Sequence, residues 1–211
     1  MRLRNNPEAQ TILENSGFLI KEFPIVLNKN DVIELGAGKG EMIAKLALAN
    51  QNQMFYAVEK YHTVALQILK KIKEFNLKNL WIVCEDIDRL EEIFSGKVSL
   101  IWITFSDPWP KKRHAKRRLT HPYFLEKYEK LLLSDGIIKF KTDNDGLFEF
   151  SINSLKGYNC DILFMTKDLH TSDRSEGNIM TEYEKKWSSL NKNINYVEFK
   201  FKQEGEKNGN H

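Results

Sequence analysis

The sequence predicts an α/β fold: one domain built on a seven-stranded, mostly parallel sheet with helices on both faces. Three observations carry this expectation. From Asp31 onward, short β-branched or aromatic runs alternate with longer amphipathic stretches, which is the pattern of repeated βαβ units. A glycine-rich turn, Gly36-Ala37-Gly38-Lys39-Gly40, follows the first of these runs and opens a helical stretch, as in Rossmann-like folds. The 211 residues, 41% of them hydrophobic, can bury one sizeable core, and the length favours one domain over two.

Residues 1–30 are expected to form an N-terminal extension packing on or flanking the core, residues 31–202 the domain itself, and residues 203–211 a polar, frayed tail. The first strand is Asp31 to Leu35, a short Val/Ile run stopped by the glycines. Met42, Ile43, Leu46, Ala47 and Ala49 then recur at helical spacing. After the second strand, Met54 to Glu59, Val64, Ile68, Leu69 and Ile72 do the same. Such stripes are core faces. Leu80 to Cys84 and Leu100 to Phe105 are the third and fourth strands. Thr120 is positioned to cap a helix carrying Phe124, Leu125, Tyr128, Leu131 and Leu132, and Asp135-Gly136 then turns the chain into a fifth strand, Gly136 to Lys141. Weaker runs at Asp161 to Met165 and Tyr196 to Phe201 complete the sheet as a late antiparallel hairpin.

Charge and composition narrow the function classes. With 32 basic and 29 acidic residues the net charge is only +3, so affinity for nucleic acid has to come from local clustering. Cys84 and Cys160 lack the close spacing of a zinc site or redox motif, which suits a reduced, cytoplasmic protein. No apolar region follows the charged start Met1 to Asn6, and the apolar runs are too short to span a bilayer. No membrane association and no metal are expected, while monomer and homodimer both remain open.

The glycine-rich turn implies a ligand approaching the backbone at Gly36 and Gly38. It is not a P-loop, because the four-residue spacer before Gly-Lys and the following Ser or Thr are missing. Glu59, at the end of the second strand, stands at the distance from which an acidic residue grips ribose hydroxyls. That geometry fits NAD or S-adenosylmethionine. Glu34 before the glycines and Asp86 after the third strand favour the sulfonium, since a pyrophosphate wants amides and a helix N-terminus, not carboxylates.

The most informative segment is Phe105 to Arg118, in which Asp107-Pro108-Trp109-Pro110 meets Lys111-Lys112-Arg113-His114-Ala115-Lys116-Arg117-Arg118. A basic run alone reads as a solvated face or a phosphate patch. Proline on both sides of Trp109 restricts the backbone and removes two amide donors, so the turn should hold Asp107 and the indole in a defined arrangement. A carboxylate beside dense positive charge points to chemistry on nucleic acid. Trp109 could stack on a base or fill the underside of the loop.

The stretch Glu34 to Gly40, the block FSDPWPKKRHAKRRLT from Phe105 to Thr120, Phe140 to Asn144, and Asn178 to Glu184 together resemble the bacterial tRNA (guanine-N7-)-methyltransferases. These motifs extend over most of residues 31 to 184 in that family's order. The resemblance implies a Rossmann-like class I methyltransferase fold. It also implies S-adenosylmethionine contacts at Glu34, Gly36, Gly38, Glu59 and Asp86, with Asp107 serving cofactor and catalysis together. By the same resemblance Lys111, Asp143, Thr181, Glu182, Tyr183 and Glu184 contact the tRNA substrate, and Arg113, His114, Ala115, Lys116, Arg117 and Arg118 form the RNA-interaction stretch. The implied target is N7 of the variable-loop guanine at position 46. Thr104 stands where members often have Asn, and Glu8 follows Pro7 where an aromatic is common.

Guanine N7 has a free lone pair and no proton, so methylation needs positioning and not a general base. The base becomes cationic as it reacts, and a carboxylate such as Asp107 in a water-poor pocket would stabilise the developing charge. Two other readings of the residues stand beside this one: an NAD(P)-dependent oxidoreductase, which leaves the DPWP loop without a use, and a non-catalytic RNA-binding protein. His170 reads as a loop-stabilising residue. Thr181 to Glu184 also reads as a capping box, and Asp143-Asn144-Asp145-Gly146 lacks the first and last ligands of a calcium loop.

Overall fold

The computed structural model describes residues 5–203. The charged start at Met1–Arg4 and the frayed tail expected at the carboxyl end lie outside these residues, except Gln203, which donates to the Ser134 carbonyl at 2.8 Å.

Helix α1 (Ala9–Glu14) precedes a short strand β1 (Ile25–Leu27). The βαβ pattern then runs through β2 (Val32–Leu35), α2 (Glu41–Ala49), β3 (Phe55–Val58), α3 (His62–Glu74) and β4 (Leu80–Val83). A short helix α4 (Leu90–Ile93) and strand β5 (Phe94–Gly96) lead into β6 (Val98–Thr104). The chain continues as α5 (Pro122–Leu131), β7 (Leu132–Thr142), α6 (Asp145–Gly157), β8 (Cys160–Thr166), α7 (Glu182–Ser188) and β9 (Asn195–Phe201).

Seven strands form one sheet in the order β4-β3-β2-β6-β7-β9-β8. The pairs from β4 to β7 are parallel, and β9 joins β7 and β8 antiparallel. Two apolar clusters pack on the sheet, one drawing on α1, α2 and α3, the other on α4, α5 and α6. Burial on both faces explains why β3 and, apart from Glu34, β2 run without polar alternation. Among the described residues no helix is long and apolar enough to cross a membrane.

Strand order reverses between β2 and β6, because the chain builds outward through β3 and β4 and then returns to the other side of β2. A crevice opens at such a switch point beyond the carboxyl ends of the strands, where α/β sheets take ligands. Gly40 shows how tightly the turn above β2 packs. It adopts φ +69°, and an added Cβ would lie 2.9 Å from the Ile68 side chain of α3, so strain and overlap both oppose substitution.

Several local expectations need correction. His121, not Thr120, caps α5: its ring accepts from the Tyr123 amide at 3.1 Å, and Pro122 takes the first helical position. Thr120 is buried, with its hydroxyl 2.7 Å from Ser151. Asp135-Gly136 makes no turn into a new strand. It lies within β7, which pairs Leu132 with Val98 and, after a register shift, Ile137 with Leu100, as a bulged strand does. The last two strands are not a hairpin, since residues 167–194 with α7 lie between them. The two-stranded parallel pair of β1 and β5 went unanticipated, because three-residue strands carry too little periodicity to read.

Candidate active site

The glycine turn, the ends of β3 and β4 and the loop after β6 enclose a cavity of about 890 Å³. Gly36, Gly38, Glu59, Asp86, Asp107 and Trp109 all line it. Gly36 and Gly38 take φ +68° and +56°, which lets the backbone curl around the space without side-chain interference. The Gly38 amide donates to Glu59 Oε2 at 3.0 Å and the Tyr61 amide to Oε1 at 3.0 Å. Glu59 is therefore held from both oxygens. Burial pushes its pKa up, the two amides oppose this, and the charge of Asp107 adds to it.

Asp86 accepts from the Asp88 amide at 3.1 Å and from Lys60 Nζ at 2.5 Å. Burial opposes its ionisation, but these donors outweigh that and hold the carboxyl below its ordinary range. Lys60, which the motif reading passed over, thus balances one of the cavity's acidic groups.

Glu34 is not part of the cavity wall. It is 1% exposed, at the end of β2 behind the glycines. The Thr104 hydroxyl donates to its Oε1, while Oε2 is buried and has no partner among the described residues. Burial pushes its pKa up to about 7 against the opposing hydrogen bond of Thr104 and the charge of Lys141. Thr104, noted only as a departure from a family pattern, is thus the direct support of Glu34.

The loop after β6 is held in an uncommon shape. Phe105 and Trp109 adopt φ +51° and +42°, left-handed conformations that cost a non-glycine residue roughly 1–2 kcal/mol each. Surrounding contacts retain them. Arg118 donates to the Pro108 and Trp109 carbonyls, the Arg117 guanidinium lies 4.8 Å from the Trp109 ring centre, and the His114 ring meets the indole edge-on at 5.7 Å. Asp107 itself is exposed. Among the described residues no side chain buries Asp107, so the water-poor pocket expected around it is not formed by these residues alone.

Residues 178–184 approach from the other side. Thr181 Oγ1 accepts from the Glu184 amide at 3.0 Å and caps α7, one half of the capping box; the Glu184 carboxylate does not return to the Thr181 amide. Glu184 is buried and turned inward, accepting from Lys141 Nζ at 2.7 Å and Asn178 Nδ2 at 2.6 Å, with His170 Nε2 at 2.8 Å. Burial opposes its charge, yet these neighbours hold its pKa below the ordinary carboxylate value. Lys141 is itself buried and also donates to Asn178 Oδ1 at 3.1 Å and the Ile179 carbonyl at 3.0 Å. Tyr183 and Glu182 are exposed; the Tyr183 hydroxyl donates to Asp143 at 3.1 Å and its ring packs 5.0 Å from Phe105. Asp143 and Tyr183 thus join the loop after β6 at Phe105 but do not line the cavity, and Thr181 and Glu184 are buried.

Residues Lys112–Arg117 form a 3-10 turn that begins at the exposed Lys111. Lys116 and Arg117 border the cavity, Arg113 is exposed, and His114 and Ala115 are half-buried. Arg118 turns away from solvent. Lys141, inside the Phe140–Asn144 motif, was given no role; a lysine between Phe140 and Thr142 in an inner strand was the available signal, because a buried ammonium requires partners.

A family model described as "Putative methyltransferase" matches residues 28–197. The chain is 51% identical over 208 residues to the tRNA (guanine-N(7)-)-methyltransferase of Mycoplasmopsis agalactiae, covering 98% of this chain and 100% of that protein. It is 48% identical to the protein of the same name from Mycoplasmopsis pulmonis, covering 96% and 100%. Among solved structures, the 16S rRNA methyltransferase KamB superposes with a TM-score of 0.63 at 10% identity, covering 83% of this chain and 89% of that one. That last likeness is one of fold.

Proposed function

Because the chain belongs to the tRNA (guanine-N(7)-)-methyltransferase family of class I S-adenosylmethionine-dependent methyltransferases, we propose that it methylates N7 of a tRNA guanine, the variable-loop guanine at position 46. The observation that carries this reading is the shared cavity of the glycine turn, Glu59, Asp86 and Asp107, bordered by Trp109 and the basic turn. Acting on tRNA, the protein works in the cytoplasm, where the free thiols of Cys84 and Cys160 stay reduced.

The residues fit the cofactor. Glu59 and Asp86 offer acceptors for ribose hydroxyls and the adenine side, and Gly36 and Gly38 allow close backbone approach; Glu34 Oε2, buried and unpartnered behind the glycines, would take an ammonium group only when the glycine turn shifts to admit it. S-adenosylmethionine supplies, when bound, a methyl group on a sulfonium. Asp107 accepts hydrogen bonds from the guanine edge and stabilises the positive charge that develops as N7 forms its new bond. Since Asp107 is exposed, the entering base supplies the water exclusion that strengthens this interaction. Asp143 and Tyr183 hold the far side of the base, and Lys111, Arg113, Lys116 and Arg117 take phosphates.

Incubation with labelled S-adenosylmethionine and unmodified tRNA, then borohydride and aniline cleavage, tests this. Cleavage at one variable-loop guanine is the expected result. Label transfer without aniline-sensitive sites would discard N7, and absence of both transfer and cofactor binding would discard the enzyme reading.

Glu34 gives a pH prediction. Its pKa near 7 means that the group is largely protonated at pH 6, and a bound ammonium needs the carboxylate. Affinity for S-adenosylhomocysteine, which retains the ammonium, therefore rises with pH and levels off above about 7. A titration at pH 6 should give a Kd roughly tenfold weaker than the plateau value, since one pKa unit is a factor of ten. Glu34→Gln should weaken binding and abolish the slope; a slope surviving in that variant would exclude Glu34 as its source.

A further inference from the structure

Arg118 closes a run of cations, and its neighbours Lys111, Lys112, Arg113, Lys116 and Arg117 are exposed. Its guanidinium faces the other way. Nε donates to the Pro108 carbonyl at 3.1 Å and lies 3.3 Å from the Trp109 carbonyl, to which Nη2 donates at 3.0 Å. The guanidinium carbon sits over the ring of Phe150, on α6, 4.3 Å from its centre. A guanidinium combines a rigid fork of donors with a stacking face, which an ammonium cannot reproduce. Its donors here are turned to the two carbonyls flanking the left-handed Trp109, and its aromatic contact reaches a helix of thirteen residues anchored in the core by Leu147, Phe148 and Leu155.

We propose that Arg118 is a positioning residue and not a phosphate contact: it ties the backbone of the Asp107 loop to α6 and so sets where Asp107 and Trp109 stand. The loop tip has few other restraints. Asp107 is exposed and Pro108 and Pro110 bring no amide hydrogens, so carbonyl acceptors are the handles by which the rest of the protein can hold it. A carboxylate that acts by electrostatics depends on its location, and misplacement by about 1 Å can cost a hundredfold in rate. The inference rests on the proposed methyl transfer for its kinetic consequence, but its structural content does not.

The test compares Arg118→Ala and Arg118→Lys with Lys116→Ala in the full chain. With tRNA, Arg118→Ala should lower kcat about ten- to a hundredfold while leaving the salt dependence of tRNA affinity at the wild-type slope. Lys116→Ala should reduce that slope by about 0.7 to 0.9. Arg118→Lys should recover only part of kcat, because one ammonium cannot bridge both carbonyls and stack. A second readout needs neither tRNA nor turnover: the indole N–H resonance of Trp109, identified by its loss in Trp109→Phe, should move in Arg118→Ala. Should alanine cost the fold, Arg118→Gln, which still donates to one carbonyl, is read in the same way. Movement of the resonance in a protein that transfers no methyl would overturn the proposed reaction and keep the positioning role. An unmoved resonance with unchanged kcat and a reduced salt slope would make Arg118 a phosphate contact and overturn the proposal.

Discussion

Asp107→Asn lowers single-turnover methyl transfer by about a hundred- to a thousandfold, equivalent to roughly 2.7 to 4 kcal/mol of lost electrostatic stabilisation. The exchange keeps size but removes the charge and turns one acceptor oxygen into a donor, at the group proposed to face the base as it becomes cationic. Asp107 is exposed, so under the proposed mechanism its effect would develop only once the guanine covers it, and tRNA affinity should change much less than the rate. Asp107 also raises the pKa of Glu59, so an effect through cofactor binding has to be measured separately, by titration with S-adenosylhomocysteine. Near-normal turnover at saturating cofactor would remove Asp107 from the mechanism.

The second large effect is on stability. Lys141→Met strips the cation from a fully buried pair with Glu184 and leaves a carboxylate without its main partner, at a cost of about 3–5 kcal/mol. For a chain of this length, Tm should fall by on the order of 10 °C. The change also releases Asn178 and the Ile179 carbonyl, so the segment carrying Tyr183 loosens and KM for tRNA rises. Adding Glu184→Gln to Lys141→Met should recover part of the lost stability, because the stranded charge disappears. A double variant no more stable than the single one would show that the pair's worth lies in packing.

The same pair sets an acid limit. The pKa of Glu184 lies below its ordinary value, so this group's stabilisation is fully present above the unfolded value, near 4.5, and is lost as pH falls through the lower folded value. Lys141→Met should blunt that dependence in acid unfolding curves.

Much of the site was legible in the chain because its chemistry is contiguous. Gly36 and Gly38 need positive φ and stand directly after a strand, Glu59 ends the next strand, and Asp107 lies between prolines beside the basic block. Each is a local statement in which residue type and strand position suffice. Arg118 and Glu184 show the limit of that reasoning. Arg118 is indistinguishable by composition from Arg117, yet one meets two carbonyls and Phe150 while the other borders the cavity. Glu184, grouped with substrate contacts by the family resemblance, is buried in an ion pair with Lys141 that its motif did not reveal.

By itself, the sequence determined the parallel α/β architecture, the glycine turn and the acidic groups following successive strands, since strand alternation, left-handed glycines and helix stripes are properties of neighbouring residues. Only the tertiary structure decided which charged groups face a ligand and which face one another. The return of β6 to the side of β2 brings Thr104 to Glu34 across 70 residues, and β7 carries Lys141 to Glu184 across 43. Those partnerships arise because a buried charge must find a counter-charge or donor wherever the fold delivers one, and no local pattern records that distance.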